Sequence, residues 1–272
     1  MKPNKMIHAP IAYTGLGLLI TTMSASAAID LDFGELDLTS EMNSASTSSF
    51  SSTAIGNDGI TDIYAQLSVV DGNGFTGDFA GSAAGDVKIG QYRNTTTQYS
   101  LTLYQDAALS EIYAPASSFT YDLFFYDIDG HDDYGDQYYD VVTVYTPSVA
   151  TYTTTTDLTI TTNGDGSITA SGKDTAAIDG QQGLTSFTPE QADVAISFTF
   201  TDTATVIFDY TVINTNSTGN RNLLIDANNL AFAEGTTETL EVVPEPAAFG
   251  LLCSAMSLAY VVVGRRRIHS EK

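Results

Sequence analysis

The residues best suited to chemistry form an acidic loop between two strong strand patterns. Residues 127–136 read DIDGHDDYGD, in which Asp127, Asp129, Asp132 and Asp136 could direct carboxylate oxygens towards one point. Clustered carboxylates repel one another, and a hard cation relieves this repulsion by coordinating their oxygens. The four residues are therefore a candidate calcium site, and a solvated acidic turn is the competing interpretation. The loop is not an EF-hand, because its glycine is misplaced and no Glu ends it.

Nucleophilic and zinc-dependent catalysis lack their usual residues. His131 is the one histidine between the two ends of the chain, and the single cysteine, Cys253, lies in the C-terminal apolar run. A Ser-His-Asp triad would have to use His131, and no G-x-S-x-G motif accompanies it. A zinc site lacks ligands. We therefore expect a protein that is not an enzyme, although a glycoside hydrolase needs only two carboxylates and stays open as an alternative.

Arg221 is a rare cation in an acidic stretch of chain. The other basic residues between residues 29 and 243 are Lys88, Arg93 and Lys173. A structural ion pair is therefore the favoured role for Arg221, with ligand binding as the alternative. Residues 220–232, NRNLLIDANNLAF, resemble the closing strand of jelly-roll carbohydrate-binding domains. This resemblance implies a calcium-dependent carbohydrate-binding module as an alternative function.

The elements that must hold these groups in place are strands. Apolar and aromatic residues alternate with polar ones in four strong runs, which begin at Tyr99, Phe119, Val194 and Val206. Period two with β-branched and aromatic residues is typical of strands with one buried face. Turn sequences such as Asn163-Gly164-Asp165-Gly166 separate the runs. The sequence thus predicts an all-β, antiparallel sandwich of jelly-roll type.

Charge is distributed very unevenly along the chain. The formal net charge is −23, from 33 acidic and 10 basic residues in 272. Six of the basic residues lie in the first five or the last eight positions, so the middle of the chain is more acidic still. A strongly acidic surface repels phosphates and favours solubility. We therefore expect no nucleic acid partner. The middle of the chain has no cysteine, so the fold must be held without disulfides.

The N-terminus has the layout of a secretory signal peptide. Lys2 and Lys5 precede an apolar run over residues 11–22, and the small residues Ala25-Ser26-Ala27 follow it. This order of a basic start, an apolar stretch and a small-residue site is what signal peptidase processes. We expect a signal helix over residues 1–28 and cleavage near Ala27 or Ala28.

The C-terminus carries a second hydrophobic run. Pro244, Glu245 and Pro246 precede the uncharged residues 247–263, which are long enough to span a membrane, and Arg265, Arg266 and Arg267 follow. Arginines resist translocation and would stay in the cytoplasm. This arrangement resembles the PEP-CTERM sorting signal, in which a Pro-Glu-Pro triplet, an apolar helix and a basic cluster follow in that order. The resemblance implies processing by an exosortase near residues 244–246.

These patterns divide the chain into four parts. They are a signal peptide over residues 1–28, a sandwich over 29–235, a spacer over 236–243 and a sorting signal over 244–268. We expect an exported protein that is held in the inner membrane by its C-terminal helix and then reaches the cell surface or the medium. Signal peptidase and exosortase are its expected processing partners and exopolysaccharide a candidate ligand. The expected function is a structural or interaction role at the surface or in the matrix.

Overall fold

The structure is a computed structural model. It describes residues 27–33, 48–50, 53–72, 74–81, 86–115, 117–133, 136–173, 183–214, 220–227 and 230–242. The predicted signal helix, except for Ala27 and Ala28, lies outside these residues, and so does the predicted sorting signal with its Pro-Glu-Pro motif, apolar helix and arginine cluster. Within the described ranges, no helix has both the length and the apolar character that crossing a membrane requires.

Strands dominate the described chain. In order they are β1 Ala27–Ala28, β2 Ser48–Phe50, β3 Gly56–Asn57, β4 Asp62–Asp71, β5 Phe75–Gly81, β6 Val87–Gln91, β7 Thr95–Tyr104, β8 Phe119–Tyr126, β9 Gly130–Asp133, β10 Asp136–Val144, β11 Val149–Thr153, β12 Thr159–Thr162, β13 Ile168–Ser171, β14 Ile196–Thr201, β15 Thr205–Asn214, β16 Arg221–Asp226 and β17 Thr237–Glu241. A short helix, α1 Pro189–Asp193, precedes β14 and starts in a capping box formed by Thr188 and Gln191.

The strands form two sheets that pack as a sandwich. The first sheet has the order β17-β11-β14-β8-β16-β6-β5, and the second has the order β12-β13-β10-β15-β7-β4-β2. The chain crosses repeatedly between the sheets from β6 to β16, and β16 closes the first sheet between β6 and β8. Neighbours along both paths are antiparallel wherever their pairing is described. The predicted all-β sandwich is confirmed, and this strand order is that of a jelly roll.

The core lies between the two sheets and follows the predicted alternation. Each of the four strong runs turns its apolar residues inwards, as Tyr99, Phe125, Phe198 and Phe208 illustrate. The rings of Tyr99 and Phe208 stack at 5.3 Å between centroids, and Phe125 meets Phe208 edge to face at 5.2 Å. Such aromatic pairs stabilise a core beyond the area that they bury.

A smaller apolar cluster covers part of the outer face of the first sheet. Phe124, Tyr126 and Leu224 point away from the main core and pack under Phe187 and Phe232. The alternation in β8 therefore ends in residues that are apolar on both faces, because the chain around residues 184–195 and 230–232 folds back over the sheet. Sequence periodicity alone predicts one buried face for β8, and the structure gives it two.

The predicted spacer over residues 236–243 is wrong for most of its length. Residues Thr237–Glu241 form β17, which pairs with β11 along all five of its residues, and the amide of Val242 donates to the carbonyl of Ser148 at 3.0 Å. An edge strand can pair through its backbone while its threonine and charged side chains stay exposed. The composition of this segment therefore resembles that of a polar linker. The sandwich therefore extends to Val242.

The sandwich has two different poles, one at each end of its strands. The first and last described residues both lie at the same pole. Strand β1 runs parallel to β8, with Ala27 opposite Phe119, the first residue of β8. Strand β17 runs antiparallel to β11 and ends at Glu241 opposite Val149, towards the same end. We call this end the entry pole. It contains the start of β8, the turn at Asp202 and the segment around Tyr113, whereas the opposite end, the acidic pole, contains the β9–β10 hairpin and the start of β16.

Candidate functional site

The predicted acidic loop is largely a β-hairpin. Strands β9 and β10 pair from Gly130 opposite Tyr139 to Asp133 opposite Asp136. Asp127 adopts a left-handed backbone conformation, with φ of 65°, where the chain leaves β8. Aspartate tolerates this conformation better than most residues with a Cβ. The hairpin therefore lies at the acidic pole, as the sequence predicts, but most of its acidic residues are on paired strands.

Arg221 forms the ion pair that the sequence favours. Its Nη2 atom contacts the carboxylate of Asp129 and lies 2.6 Å from Oδ2 of Asp140, to which Nε also donates at 3.0 Å. The side chains of Asp129 and Asp140 are 2% and 0% exposed, and that of Arg221 is 18% exposed. Buried carboxylates require this compensation, since removing a charge from water costs several kcal/mol. We call these three residues the Arg221 cluster.

Asp140 is the member of the cluster that sequence reasoning missed. It lies in β10 two positions before Val142 and four before Val144, both of which are buried. A strand residue at even spacing from two core residues points inwards, so its register is the signal that could have found it. An inward aspartate demands a partner, and Arg221 is that partner.

Two tyrosines complete the surroundings of the Arg221 cluster. The Tyr210 hydroxyl donates to Oδ1 of Asp140 at 2.8 Å, and the Arg221 guanidinium lies 4.8 Å from the ring centroid of Tyr138. Burial raises the pKa of the Asp140 carboxyl well above its usual range, and the Tyr210 hydrogen bond acts against this shift. Burial and the neighbouring Asp140 raise the pKa of Tyr210 in turn.

Two glycines let the backbone approach the Arg221 cluster. The amide of Asp140 donates to the carbonyl of Asp129 at 3.0 Å, and the amide of Gly172 donates to the carbonyl of Asp140 at 2.9 Å. A Cβ atom on Gly172 would lie 2.5 Å from the carbonyl oxygen of Ile128, and one on Gly130 would lie 2.3 Å from that of Gly172. These contacts allow only glycine, so they fix the path of the chain across residues 128–130.

A second group of buried acids lies near the end of β8. Asp86 is 1% exposed and accepts hydrogen bonds from the Tyr126 hydroxyl at 2.5 Å and from the amide of Gly183 at 2.9 Å. Asp226 is fully buried in β16 and accepts from the amide of Ala227 at 2.6 Å. Burial raises the pKa of Tyr126, and Asp86, Asp226 and Asp127 raise it further by their charge. The two hydrogen bonds to Asp86 link Tyr126 of β8 and the chain at Gly183 to the residue that precedes β6.

The four predicted calcium ligands are only partly brought together. Asp127 and Asp129 follow β8 and are separated by Ile128, but Asp129 is paired with Arg221. The structure gives Asp132 and Asp136 backbone positions on β9 and β10, and their side chains lie outside what it describes. Among the described residues, no three His, Cys, Asp or Glu side chains are arranged to hold a metal ion. The calcium site stays a prediction that depends on Asp127, Asp132 and Asp136.

The comparisons with known proteins name no family. No family model and no curated protein matches the sequence. The adhesin domain of PrgB from Enterococcus faecalis is similar in structure, with a TM-score of 0.41 and 14% identity over 68% of this chain and 63% of that one. The same adhesin domain bound to DNA has a TM-score of 0.36 and 15% identity over 63% and 62% of the two chains. The chain thus spans less than two thirds of either structure.

The second of these structures corrects one prediction. The net charge of the chain led to the expectation that nucleic acid is not a partner, yet the similar adhesin domain is bound to DNA. Net charge averages over a whole surface, whereas contacts to phosphates depend on the local arrangement of donors. The exclusion of nucleic acid partners from net charge is therefore wrong. The DNA itself is a ligand of the PrgB domain.

Proposed function

We propose that this chain is an exported surface protein whose sandwich acts by binding, after a PEP-CTERM-like tail has presented it outside the membrane. A signal segment delivers the chain from the cytoplasm, and an apolar tail with inner arginines stops its transfer. Both hydrophobic segments then meet the outer side of the same membrane. A folded part with both of its ends at one pole is compatible with this arrangement.

The observation that carries this proposal is the common exit of the two ends. Ala27 pairs with Phe119 at the start of β8, and Glu241 pairs with Val149, whose partner Thr199 lies opposite Asp122 of the same strand. Both ends therefore leave from the entry pole. Residues 27 and 242, the first and last that the structure describes, therefore lie at one end of the sandwich, which agrees with a tail that anchors the domain at that end.

The entry pole also has the most exposed aliphatic side chain among the described residues. Ile60 is 92% exposed, and Ile112, which bridges to the end of β7, is 56% exposed. Exposed apolar groups are favoured where a surface lies against a membrane or another protein. Their position agrees with a pole that faces the membrane while the tail is inserted.

The buried carboxylates favour binding over catalysis. Hydrolysis of a glycoside needs two carboxyl groups that face a sugar across a cleft. Asp129 and Asp140 are close to each other, but they are buried and both contact Arg221. Their geometry suits a structural ion pair. We therefore place the glycoside hydrolase last among the candidate functions, behind a carbohydrate-binding module.

Processing at the Pro-Glu-Pro motif tests the proposal. The full chain would be produced in a host that has an exosortase and in one that lacks it, and its mass would be measured in each. We expect loss of the residues after the motif only in the first host. Replacing Pro244, Glu245 and Pro246 by Ala should abolish the loss.

A matched control uses the two exposed acids of β17. Glu238→Ala with Glu241→Ala changes charge close to the motif and should leave processing intact. Protease added to whole cells should degrade the sandwich, because it lies outside. Intact chain of full length in the cytosol, with both ends uncut, would contradict the proposal.

A further inference from the structure

The middle of the outer face of the second sheet is polar and carries one charged residue, with the exposed Asp62 and Asp71 of β4 at its margins. It is formed by the even-numbered residues 64–68 of β4 and 96–104 of β7, the odd-numbered residues 205–211 of β15 and 139–143 of β10, and Thr169 and Ser171 of β13. We call it the neutral face. None of these residues is buried, and Asp209 is the one charged residue among them. In a chain with a net charge of −23, such a surface is an exception.

The single carboxylate of the neutral face is held by two donors. Gln98 donates from Nε2 to Oδ1 of Asp209 at 2.9 Å, and the Tyr145 hydroxyl donates to Oδ2 at 2.7 Å. The hydrogen bond to Asp209 raises the pKa of Tyr145 to about 12. Tyr145 therefore stays protonated and keeps donating at neutral pH. Both carboxylate oxygens of Asp209 therefore already accept a hydrogen bond.

Hydroxyl groups form rows across the strands of the neutral face. Thr96 and Thr211 lie 2.8 Å apart between their oxygens, Thr143 and Thr169 lie 2.9 Å apart, and Thr205 donates to Thr102 at 3.3 Å. Each hydroxyl has one donor and two acceptor lone pairs, so a pair retains unused acceptors. Neighbouring strands are about 4.8 Å apart, which makes the rows regular. The surface thus offers many weak, evenly spaced hydrogen-bonding groups.

Aromatic side chains border these rows. Tyr64 and Tyr104 lie opposite each other on β4 and β7, and the Tyr104 hydroxyl donates to Oε1 of Gln66 at 3.3 Å. Tyr139 lies at the other end of the face, on β10. Tyrosine combines an apolar ring with a polar tip, and it suits partners that have both apolar and hydroxyl surfaces.

We propose that the neutral face binds an uncharged polysaccharide, an inference that rests on the proposed surface role. A polymer of neutral sugars matches the hydroxyl and amide groups in kind, and it is not repelled by the acidic surroundings. An anionic polysaccharide would find no cation on this face, since the defined residues include neither Lys nor Arg. An apolar partner would find few aliphatic contacts: Ile207 and Val141 within the face, and Ile213 opposite Tyr139 at its edge.

Affinity electrophoresis of the full chain in mild detergent tests this inference. The gels would contain dextran, galactomannan or soluble β-glucan as neutral probes, alginate as a charged one, or duplex DNA. We expect retardation by at least one neutral polymer and little change with salt. Ser100→Glu, at the centre of the face, should weaken that retardation at least tenfold. Thr151→Glu, on the outer face of the first sheet, is the matched control and should bind like the unmodified chain.

The outcomes separate this inference from the proposed function. If no neutral polymer retards the folded chain, or Ser100→Glu binds as well as Thr151→Glu, the neutral face is not the binding surface. Preferential binding of DNA or alginate would also overturn it. The proposed function would survive these results if the chain is still processed and reaches the surface. Circular dichroism of both variants establishes that each is folded before binding is compared.

Discussion

At the scale of single residues, the sandwich depends on how Arg221 compensates two buried carboxylates. A cation that is 18% exposed serves Asp129 and Asp140, which water hardly reaches. A buried ion pair adds little stability relative to apolar residues, but removing one partner leaves an uncompensated charge. The contact therefore links β16 of the first sheet to β10 of the second.

Replacing Arg221 by Met should destabilise the protein by about 3–5 kcal/mol, since two buried carboxylates lose their cation. Chemical denaturation followed by tyrosine fluorescence measures this loss. Lys173→Met removes a cation from an exposed position and should change stability by less than about 0.5 kcal/mol. Equal effects of the two substitutions would show that net charge, and not the local pair, matters.

Calcium should stabilise the acidic pole if the hairpin binds it. At a concentration about 100 times the dissociation constant, a bound ion adds about 2.7 kcal/mol to the free energy of unfolding. Asp132→Asn with Asp136→Asn should remove the calcium-dependent rise in Tm, and EDTA should do the same to the unmodified chain. Asp122→Asn, on the outer face of β8, is the control. If Tm does not change when calcium is added, the prediction of a metal site is wrong.

The stability of the protein in acid should depend on Asp58, which lies in the turn that precedes β4. Hydrogen bonds from the Thr61 amide and then the Tyr113 hydroxyl hold the pKa of Asp58 below its usual value of 3.8. The folded state therefore favours the ionised carboxylate, so its contribution is present above 3.8 and disappears as the pH falls through the lower folded value. Asp58→Asn should lower Tm at pH 6 and converge with the unmodified chain in strong acid. A constant difference across the pH range would contradict this assignment.

At the scale of elements, the crossing after β8 depends on glycine more than on the acidic side chains around it. Gly172 lies so close to the backbone of Ile128 and Asp129 that a Cβ atom at this position would collide with it. The same backbone segment carries one carboxylate of the Arg221 cluster. Gly172, directly after β13, thus helps to position the Asp129 carboxylate in the segment that follows β8.

Gly172→Ala should destabilise the sandwich by about 1–3 kcal/mol, because the added methyl group forces the backbone of residues 128–129 to move. Thermal unfolding gives the comparison. Gly164→Ala is the matched control, because a Cβ at Gly164 would meet nothing within 4 Å. If both variants unfold at the same temperature, the close approach at Gly172 is not a constraint.

At the scale of the whole molecule, the orientation of the sandwich follows from where its ends emerge. Ala27 and Val242 both lie at the entry pole. Strands of ten residues, such as β15, separate this pole from the acidic pole by about 33 Å. While the tail is inserted, the acidic hairpin would point away from the membrane.

Cysteine labelling of the anchored protein should detect this orientation. Ile60→Cys marks the entry pole and Tyr92→Cys marks the acidic pole, and both positions are well exposed. In a background with Cys253→Ser, a bulky maleimide should label Tyr92→Cys faster than Ile60→Cys in membranes. In detergent the two rates should be similar. Faster labelling of Ile60→Cys in membranes would reverse the proposed orientation.

The sequence by itself determined the class of fold, because alternation of side chains is a local property. The runs that begin at Tyr99, Phe119, Val194 and Val206 fix which residues face inwards, whatever the strands pair with. The scarcity of cations made an ion pair the favoured role of Arg221. Local patterns of this kind are visible in one strand at a time.

Only the tertiary structure decided the partners. Asp140 meets Arg221 across 81 positions of sequence, and β17 joins the sheet although its composition resembles a linker. The neutral face exists because five strands from distant parts of the chain place their polar residues side by side. Pairing between strands depends on register and on the crossing of loops, and these are set by contacts that no short stretch of sequence contains.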